Sequence, residues 1–304
     1  MTFTTQHTIE IQAPAAAVHR LLAGVTEWPR LFEPTIHVEY LERNDAAERI
    51  QIWAQANGET RTWVSRRVIG ELTISFRQEV SSPPVLSMGG KWIVEPLGSG
   101  SCLVRLLHDF TAAGGQEDWV RRAVDRNSNS ELAGLRRAAE RSGDLLLTFA
   151  DTVDIDGSVQ DVYDFLNEAD RWADRLPHVA SVSLAEDTPG LQRLRMDTRA
   201  ADGSIHTTES VRICRPPRRI YYKQLELPAL LAMHVGHWEL REDGTGRLRA
   251  TAGHSVEIRP DAIQRLLGPD AGPAQARGYL RKILGGNSRT TLEHARAYAG
   301  QRVT

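Results

Sequence analysis

Hydrophobic and polar residues alternate with a period of two along much of the first half of the chain, which is the pattern of half-buried β-strands. The strands that this alternation predicts are Thr8–Gln12, Val38–Leu41, Arg49–Ala56, Thr60–Ile69, Leu72–Val80, Leu86–Glu95 and Leu103–Phe110. Asn57-Gly58 and Gly98-Ser-Gly100 separate neighbouring strands with residues that adopt tight turns, so they predict β-hairpins. The first half therefore favours an antiparallel sheet.

A helical period of three to four residues replaces the alternation near the end of each half. In the first half, the residues of this stripe are Trp119, Val120, Ala123, Val124, Asn127, Leu132 and Leu135. We predict long helices over Glu117–Arg141 and Ala274–Gln301, and two short helices directly after the first strand. A curved antiparallel sheet that buries one face against one long helix encloses a cavity, so the predicted fold class is α+β.

The same order of elements occurs twice, because motifs of the first half return in the second half at a nearly constant offset. Ile9-Glu-Ile-Gln-Ala-Pro14 returns as Val153-Asp-Ile-Asp-Gly-Ser158, 144 residues later. The other matched pairs are Trp28 and Trp172, Ser65 and Ser210, Arg67 and Arg212, Trp92 and Trp238, His108 and His254, and Asn127 and Asn287. Their offsets rise from 144 to 146 and then reach 160, as small insertions produce. This collinear series indicates tandem homologous domains.

We place the domain boundary at a helix stop, Ser142-Gly-Asp144, which predicts domains over residues 1–143 and 144–304. The second domain begins with a strand predicted over Val153–Asp156. The late jump in the offset falls on extra residues around Arg259–Pro273, which are punctuated by proline and glycine. We interpret this stretch as an insertion that only the second domain carries.

The composition is that of a globular protein, since the 304 residues are 41% hydrophobic and 25% charged, with a formal net charge of −2. Acidic and basic residues are spread along the chain, so neither a nucleic acid nor a membrane surface is an expected partner. The longest apolar stretches, such as Leu227–Met233, are too short to span a membrane, and Met1–Pro14 does not resemble a secretory leader. We therefore expect a cytoplasmic protein of about two domains.

The sequence predicts no metal or cofactor site. Cys102 and Cys214 lack the spacing of a metal site or a disulfide framework, so we expect both to be buried as small hydrophobic residues. His234-x-x-His237 holds two residue types that bind metals, but a spacing of three on a strand directs the rings to opposite faces. Motifs of zinc proteases, serine hydrolases and nucleotide-binding folds are absent from the sequence. Any catalysis would therefore rest on acid–base and electrostatic effects.

Trp63, Ser65 and Arg67 share one face of a predicted strand, and Ser210 and Arg212 repeat the pattern in the second half. Either this face points into the predicted cavity, or the opposite face is buried and Arg67 lies in solvent. A buried guanidinium is costly unless a partner or a ligand compensates its charge. Recurrence of the Ser-x-Arg pair in both halves favours the inward orientation.

Five of the seven tryptophans fall in the first half, at Trp28, Trp53, Trp63, Trp92 and Trp119. Each is either an ordinary core residue or part of a cavity wall suited to a flat, conjugated ligand. Asn127 and Asn287 lie on the apolar stripes of the long helices, either as hydrogen-bonded core amides or as donors into the cavity. His108 and His254 lie on the last predicted strand of each half, and we expect both to be structural and not catalytic.

Four motifs resemble the aromatase/cyclases of bacterial type II polyketide synthases, namely Trp28-Pro-Arg-Leu-Phe32, Trp63-Val-Ser-Arg-Arg67-Val, Lys91-Trp92 and Arg126-Asn127-Ser-Asn-Ser130. The doubled arrangement resembles the di-domain class of that family. The resemblance covers the whole chain and is more specific in residues 1–142 than in the rest. It implies two tandem helix-grip domains of the START/Bet v 1 kind, each with an internal cavity.

The resemblance also implies a function. Members of this class close and aromatise the first ring of a poly-β-ketone bound to an acyl carrier protein, by aldol cyclisation and dehydration without a cofactor. Di-domain members usually serve reducing systems, in which the chain is reduced at C9 and closes between C7 and C12. The carrier protein is then the expected partner, and the ketosynthase and ketoreductase of the same synthase are further candidates.

The resemblance places Arg67 at the centre of the pocket, and we expect Arg67 and Ser65 to be the catalytic residues. Our candidate substrate-binding residues are Trp28, Trp63, Trp92, Asn127, Trp53, Thr35 and His108. The candidate second site in the other domain consists of Arg212, Ser210, Trp238, Asn287 and Trp172. Single-domain relatives carry a tyrosine shortly after the Trp-Pro motif, where this chain has Thr35, or Val179 in the second half. The identity of the proton donor therefore stays open.

Two other functions compete with the cyclase. A helix-grip domain also suits a protein that only binds a hydrophobic ligand, because a fold does not determine a function. A purely structural subunit of a synthase complex is the third hypothesis, and cavities filled by their own side chains in both domains would favour it. Substitution of Arg67 separates the first two functions, since a carrier would keep its ligand affinity whereas an enzyme would lose turnover.

Overall fold

The chain forms two compact units, Met1–Arg141 and Ser142–Thr304. The structure is a computed structural model, and it describes residues 1–44, 47–141, 143–199, 203–244 and 247–302. Each unit contains one seven-stranded antiparallel sheet, short helices after its first strand and a long C-terminal helix. This architecture confirms the predicted fold class of two tandem α+β domains.

The first unit places two short helices between the first and second strands of its sheet. In chain order its elements are β1 (Phe3–Ile11), α1 (Ala15–Ala23), α2 (Trp28–Leu31), β2 (Thr35–Arg43), β3 (Glu48–Ala56), β4 (Glu59–Ile69), β5 (Thr73–Val80), β6 (Val85–Pro96), β7 (Cys102–Ala112) and α3 (Glu117–Glu140). The strand order is β1-β7-β6-β5-β4-β3-β2. Every neighbouring pair from β2 to β7 is therefore consecutive in the chain, and β1 forms the far edge beside β7.

The second unit repeats this topology and adds one helix. Its elements are β8 (Leu146–Ile155), α4 (Val159–Asn167), α5 (Trp172–Arg175), β9 (Val179–Thr188), β10 (Leu191–Arg199), β11 (Ile205–Arg215), β12 (Arg219–Glu226), β13 (Leu231–Glu242), β14 (Leu248–Ile258), α6 (Pro260–Leu267) and α7 (Pro273–Gly300). The strand order, β8-β14-β13-β12-β11-β10-β9, matches that of the first sheet position by position.

The first strand of each unit is longer than the hydrophobic pattern predicts. β1 begins at Phe3 because it pairs with β7 continuously, from Phe3 opposite Phe110 to Ile11 opposite Cys102. Inward residues of β1 are only half-buried until Ile11, and several are polar, so backbone pairing defines this strand more than side-chain burial does. β8 likewise begins well before the predicted start at Val153.

The insertion around Arg259–Pro273 contains a helix, α6, that the sequence analysis did not predict. α6 begins at Pro260, and proline suits the first helical position because the N–H that it lacks has no partner there. Ala262 and Ile263 of α6 are buried in a hydrophobic cluster with Leu280 of α7. Proline in this stretch therefore marks the start of a helix.

The two long helices agree with the predicted bounds to within one residue at each end. Ser142, which we expected to help end the first of them, lies outside the described residues. Cys102 and Cys214 are both buried, as predicted.

In the first unit, the core lies between the inner face of the sheet, α1, α2 and the C-terminal part of α3. Val18, Leu22, Ile50, Leu106 and Leu135 are completely buried there. The side chains that the N-terminal part of α3 directs at the sheet line a cavity instead. The long helix therefore closes the core at one end and roofs the cavity at the other.

Gly134 allows α3 to approach the backbone of α2. A Cβ atom at this position would lie 2.2 Å from the carbonyl oxygen of Leu31, closer than two such atoms can pack. Because the neighbouring atom belongs to the backbone, it cannot move aside as the end of a flexible side chain could. The glycine is therefore required for this helix contact.

We predict that Gly134→Ala lowers the free energy of unfolding of the first unit by about 1–2 kcal/mol, because the cost of overpacking exceeds the gain in helix propensity. Differential scanning calorimetry of the full chain would report this change as a lower Tm. The matched control is Gly286→Ala in the middle of α7, where nothing lies within 4 Å of the added Cβ. That change should stabilise by up to about 1 kcal/mol. A Gly134→Ala protein as stable as the wild type would contradict the close packing of α2 and α3.

Candidate active site

A cavity of about 150 Å³ lies inside the first unit, between its sheet and α3. A space of this size accommodates one benzene-sized ring. Its walls come from α2, from β2 to β7 and from the N-terminal two-thirds of α3. Apolar and aromatic side chains form most of the lining, with a smaller number of polar groups among them, as in sites for small organic molecules.

β4 directs Trp63, Ser65 and Arg67 into this cavity. The two predicted orientations of the strand are therefore resolved in favour of the inward one, since Ser65 and Arg67 are buried and Arg66 is exposed. Side chains of a strand point alternately to opposite faces, so the three residues share the inner face.

The guanidinium of Arg67 binds the C-terminal end of α1. Its Nη2 donates hydrogen bonds to the carbonyl oxygens of Leu22 and Ala23, at 3.2 and 3.4 Å. These carbonyls lie in the last turn of the helix, where they lack intrahelical partners and where the helix dipole favours a cation. The guanidinium carbon also lies 4.9 Å from the ring centroid of Trp28, whose Nε1 donates to the same Leu22 carbonyl at 3.1 Å. One edge of Arg67 is thus committed to holding α1 and the start of α2.

Glu48 provides the counter-charge for Arg67. It lies directly opposite Arg67 in the β3–β4 register, is 5% exposed, and its Oε2 is 3.6 Å from Arg67 Nη1. Burial lowers the pKa of Arg67 to about 10, and the nearby carboxylate of Glu48 limits that decrease. Arg67, which is 1% exposed, therefore keeps its charge at neutral pH. Its Nε and Nη1 have no hydrogen-bond partner among the described residues.

Aromatic rings and one hydroxyl surround the guanidinium. Phe32 packs against Trp28 at 5.4 Å between ring centroids and stacks parallel to Trp92 at 6.1 Å. The Ser65 hydroxyl donates to the backbone carbonyl of Arg77 at 3.2 Å, so its lone pairs remain available as acceptors. The site therefore combines a fixed cation, an acceptor hydroxyl and flat apolar walls.

Three further predicted residues line the cavity. Asn127 donates from Nδ2 to the carbonyl of Gln55 at 3.1 Å, which ties α3 to the end of β3. Burial lowers the pKa of His108 to about 4, so its imidazole is neutral at pH 7, and its ring makes an edge contact with Phe76. Thr35 is buried at the start of β2 and lines the same space.

Trp53 was wrongly placed among the cavity residues. β3 directs Ile50, Ile52 and Ala54 inward, so the alternation of the strand puts Trp53 on the opposite face. There it is buried against His37, with 5.6 Å between ring centroids. This tryptophan is a packing residue on the outer side of the sheet.

Sequence reasoning missed two carboxylates. Asn57 and Gly58 both have positive φ and form a two-residue turn, which aligns Ala56 with Glu59 and therefore Glu48 with Arg67. The hairpin predicted at Asn57-Gly58 therefore already implied that Glu48 lies opposite Arg67.

Glu131 is the second carboxylate. It lines the cavity from α3, one turn beyond Asn127, and burial raises the pKa of its carboxyl to about 8. The i, i+4 spacing from Asn127 was its only sequence signal.

The second unit repeats the arginine contact without the carboxylate. Nη2 of Arg212, which is 1% exposed, donates to the Leu166 carbonyl at 2.5 Å, and its guanidinium lies 5.3 Å from the ring of Trp172. Opposite Arg212 in the strand register stands a neutral residue, Gln192, whose amide donates to Glu186 at 2.7 Å. Burial lowers the pKa of Arg212. Both arginines therefore hold a short helix, but only Arg67 faces a carboxylate directly.

A cluster of hydrogen-bonded polar side chains lies in the interior of the second unit. His254 accepts or donates at 3.0 Å with His234, at 3.1 Å with Tyr222 and at 2.6 Å with Ser288. At the offset of 146, His234 and Tyr222 correspond to Met88 and Phe76, which line the cavity of the first unit. Hydrogen-bonded side chains of the second unit thus stand where apolar side chains line the cavity of the first unit.

Among the described residues, none of the other second-site candidates hydrogen-bonds to His254. Ser210, Trp172 and Trp238 are buried, and the backbone carbonyl of Asn287 accepts a hydrogen bond from Thr291 at 3.0 Å. The cavity described above is lined by residues of the first unit alone.

The described residues contain no group of three or more histidine, cysteine or acidic side chains that could hold a metal ion. His234 forms a hydrogen bond with His254 on the inner face of the second sheet, whereas His237 packs near Tyr221 on the other face.

In the described ranges, no helix is both long and apolar enough to cross a membrane.

Comparison with known proteins identifies relatives of the whole chain. The family described as polyketide cyclase/dehydrase and lipid transport matches twice, over residues 2–140 and 147–299. The granaticin polyketide synthase bifunctional cyclase/dehydratase of Streptomyces violaceoruber is 45% identical over 98% of this chain and 94% of its own. The actinorhodin polyketide synthase bifunctional cyclase/dehydratase of Streptomyces coelicolor is 44% identical over 97% and 96%.

Two solved structures have the same two-unit architecture. The di-domain aromatase/cyclase BexL of the BE-7585A biosynthetic pathway is 50% identical with a TM-score of 0.90, and 98% of each chain is covered. StfQ of the steffimycin pathway is 35% identical with a TM-score of 0.89, over 98% of this chain and 99% of StfQ. The helix-grip fold implied by the sequence motifs is thereby confirmed. The chain belongs to the polyketide cyclase/dehydrase and lipid transport family, as a two-domain member related to the bifunctional cyclase/dehydratases of polyketide synthases.

Proposed function

We propose that the chain closes the first ring of a poly-β-ketone bound to an acyl carrier protein, by an aldol reaction between C7 and C12 followed by loss of water. In this proposal a ketoreductase of the same type II synthase has already reduced the substrate at C9. The observation that carries the proposal is a buried guanidinium, Arg67, with unbonded N–H groups on the wall of an aromatic cavity. Relatives that are named as components of polyketide synthases support the substrate class.

Ring closure requires that one enol carbon meets one carbonyl carbon on a chain with several similar groups. Holding two reacting groups in the correct geometry contributes about 7–11 kcal/mol to such a reaction. Trp28, Phe32, Trp63 and Trp92 form flat walls on which a conjugated chain can lie. We assign them the role of bending the substrate so that the two carbons meet.

Negative charge develops on the acceptor carbonyl oxygen as the carbon–carbon bond forms. Arg67 would donate to this oxygen from Nε and Nη1, and its pKa of about 10 keeps it charged at the pH of the reaction. A preorganised donor of this kind is worth about 2.7–4 kcal/mol. Arginine also holds two oxygens at once, which suits a β-diketone.

Ser65 and Asn127 offer acceptors for the enol hydroxyl. The Ser65 hydroxyl donates its proton to the Arg77 carbonyl, and Asn127 donates an amide proton to the Gln55 carbonyl. Both residues line the cavity, and the oxygen of each side chain can still accept a hydrogen bond. Aldol closure and dehydration change no overall oxidation state. The proposed reaction therefore needs no redox cofactor.

We assign this reaction to the first unit and a supporting role to the second. Arg212 has the same helix contact as Arg67, but its strand partner is the neutral Gln192. The polar network around His254 occupies positions that are apolar in the first unit. These differences favour one reaction site in the chain.

We predict that Arg67→Gln lowers the yield of ring-closed product about 10²–10³-fold, because the developing oxyanion loses its charged donor. The substrate would be made in situ by a minimal ketosynthase, an acyl carrier protein and a ketoreductase. Chromatography would then give the ratio of ring-closed product to spontaneous shunt products.

Arg212→Gln is the matched control, since it removes the equivalent helix contact from the second unit. It should leave the product ratio close to that of the wild type. Loss of ring closure in Arg212→Gln alone would move the reaction to the second unit. A wild-type product mixture equal to that without the chain would overturn the cyclase function itself and favour a ligand carrier.

We predict that Glu48→Gln lowers the free energy of unfolding by about 3 kcal/mol, because it leaves the buried Arg67 without its counter-charge. The same change lowers the pKa of Arg67 below its present value of about 10, since Glu48 limits the effect of burial. Ring closure should then decline at a lower pH than in the wild type, as Arg67 loses its proton earlier. Calorimetry and the product ratio between pH 7 and 10 measure both effects.

Glu79→Gln provides the control for this change. Glu79 binds Arg49 at the surface, where an ion pair contributes only about 0–1 kcal/mol. Equal effects of Glu48→Gln and Glu79→Gln on Tm would show that the Glu48–Arg67 pair has no special importance.

A further inference from the structure

Glu131 is the one carboxyl group among the described residues that line the cavity. It lies on the side of α3 that lines the cavity, one turn after Asn127 and three residues after the buried Ser128, and its side chain is half-buried. An acidic residue on the apolar side of an amphipathic helix is costly when it is ionised. Its presence there needs an explanation that packing does not supply.

The charged groups around the cavity leave Glu131 without an ion-pair partner in the described part of the chain. Arg61 of β4 binds Glu59, and Arg67 of the same strand faces Glu48. His108 of β7 is neutral because burial lowers its pKa to about 4. Each of the two arginines forms its ion pair with another carboxylate, and burial raises the pKa of Glu131 to about 8. The side chain is therefore a neutral carboxylic acid at pH 7.

The other polar groups of the cavity are poor proton donors. Arg67 has a pKa of about 10 and is therefore a weak acid at neutral pH. The hydroxyl proton of Ser65 is hydrogen-bonded to the Arg77 carbonyl. Thr35 lines the same cavity, and its aliphatic hydroxyl is a far weaker acid than a carboxyl group. An acid whose pKa lies close to the working pH is the most effective general acid. Glu131 alone meets this condition among the described residues of the cavity wall.

We propose that Glu131 is the proton donor of ring closure, an inference that rests on the proposed cyclase function. As the enol carbon attacks the acceptor carbonyl, Glu131 gives its proton to the acceptor oxygen and becomes a carboxylate. The attacking enol returns to a ketone and releases its hydroxyl proton to water. In dehydration, the Glu131 carboxylate removes the proton next to the new bond, and the hydroxyl leaves and combines with the released proton as water. Glu131 ends protonated, and one water is formed for each ring.

The second unit carries a threonine at the position equivalent to Glu131. The Asn127-Ser128 and Asn287-Ser288 pairs place Thr291 at the position of Glu131, and Thr291 is buried with its hydroxyl bonded to the Asn287 carbonyl at 3.0 Å. Arg212 therefore has Gln192 in place of Glu48 and Thr291 in place of Glu131, and Glu186 is the carboxylate that acts on its charge. This difference supports the placement of the acid step in the first unit.

The direct test is a titration of Glu131 that does not depend on activity. The full chain would be labelled with glutamate carrying ¹³C at the side-chain carboxyl, and its NMR signals followed from pH 4 to 10. The signal that is absent in both Glu131→Gln and Glu131→Asp belongs to Glu131. An inflection near pH 8 supports the proposal, and an inflection near the ordinary value of 4.5 overturns it.

The functional test compares wild type, Glu131→Gln and Thr291→Val with the in situ substrate described above. Glutamine has the shape of a protonated glutamate, so Glu131→Gln should keep the wild-type Tm and lower the ring-closed to shunt ratio about 10²-fold. The wild-type ratio should fall as the pH rises through about 8, whereas the residual ratio of Glu131→Gln should lack this decline. Thr291→Val should match the wild type at every pH.

The two proposals fail in different ways. A wild type that forms no ring product overturns the cyclase function while the NMR titration still reports the state of Glu131. A wild type that forms the ring, together with a Glu131→Gln chain that forms it with equal yield and equal pH dependence, overturns the role of Glu131 alone.

Discussion

The guanidinium of Arg67 imposes the constraint on which the rest of the site depends. A buried cation requires compensation from several directions, and here the end of α1, the ring of Trp28 and the carboxylate of Glu48 provide it. These contacts hold the end of α1 and the start of α2 against the sheet, and the turn at Asn57-Gly58 places Glu48 opposite Arg67. The cavity lies beside this cluster, between the sheet and α3, and Nε and Nη1 of the buried guanidinium have no hydrogen-bond partner among the described residues.

Comparison of the two units distinguishes the structural contacts of the arginine from its proposed role in the reaction. Arg212 binds the Leu166 carbonyl and packs on Trp172, as Arg67 binds Leu22 and packs on Trp28. The contact between the arginine and the helix end therefore recurs in both units, whether or not a reaction takes place. The units differ in what surrounds that arginine, and a reaction site is defined by those surroundings. Retention of Ser-x-Arg in the second unit is consequently evidence for the fold and not by itself for a second site.

Patterns that depend on local geometry were predictable, and those that depend on packing were not. The strand period placed Trp63, Ser65 and Arg67 together, and the same rule would have removed Trp53, which the number of tryptophans wrongly favoured. The turn at Asn57-Gly58 already contained the alignment of Glu48 with Arg67. Glu131 could not be recognised, because an acidic residue beside an apolar helical stripe is usually solvated. Only the sheet beneath α3 shows that this face of the helix meets an apolar cavity.

Arginine is the one residue that can satisfy both demands at this position. Nη2 of Arg67 holds the carbonyls of α1, and Nε and Nη1 point away from them in the same plane. A lysine has a single compact ammonium at the end of a flexible stem, so it could bind the helix or a ligand but not hold both in one rigid fork. Its pKa is also lower, and burial would lower it further toward neutrality. One buried guanidinium can therefore bind the end of a helix through Nη2 and, in the first unit, also line a cavity.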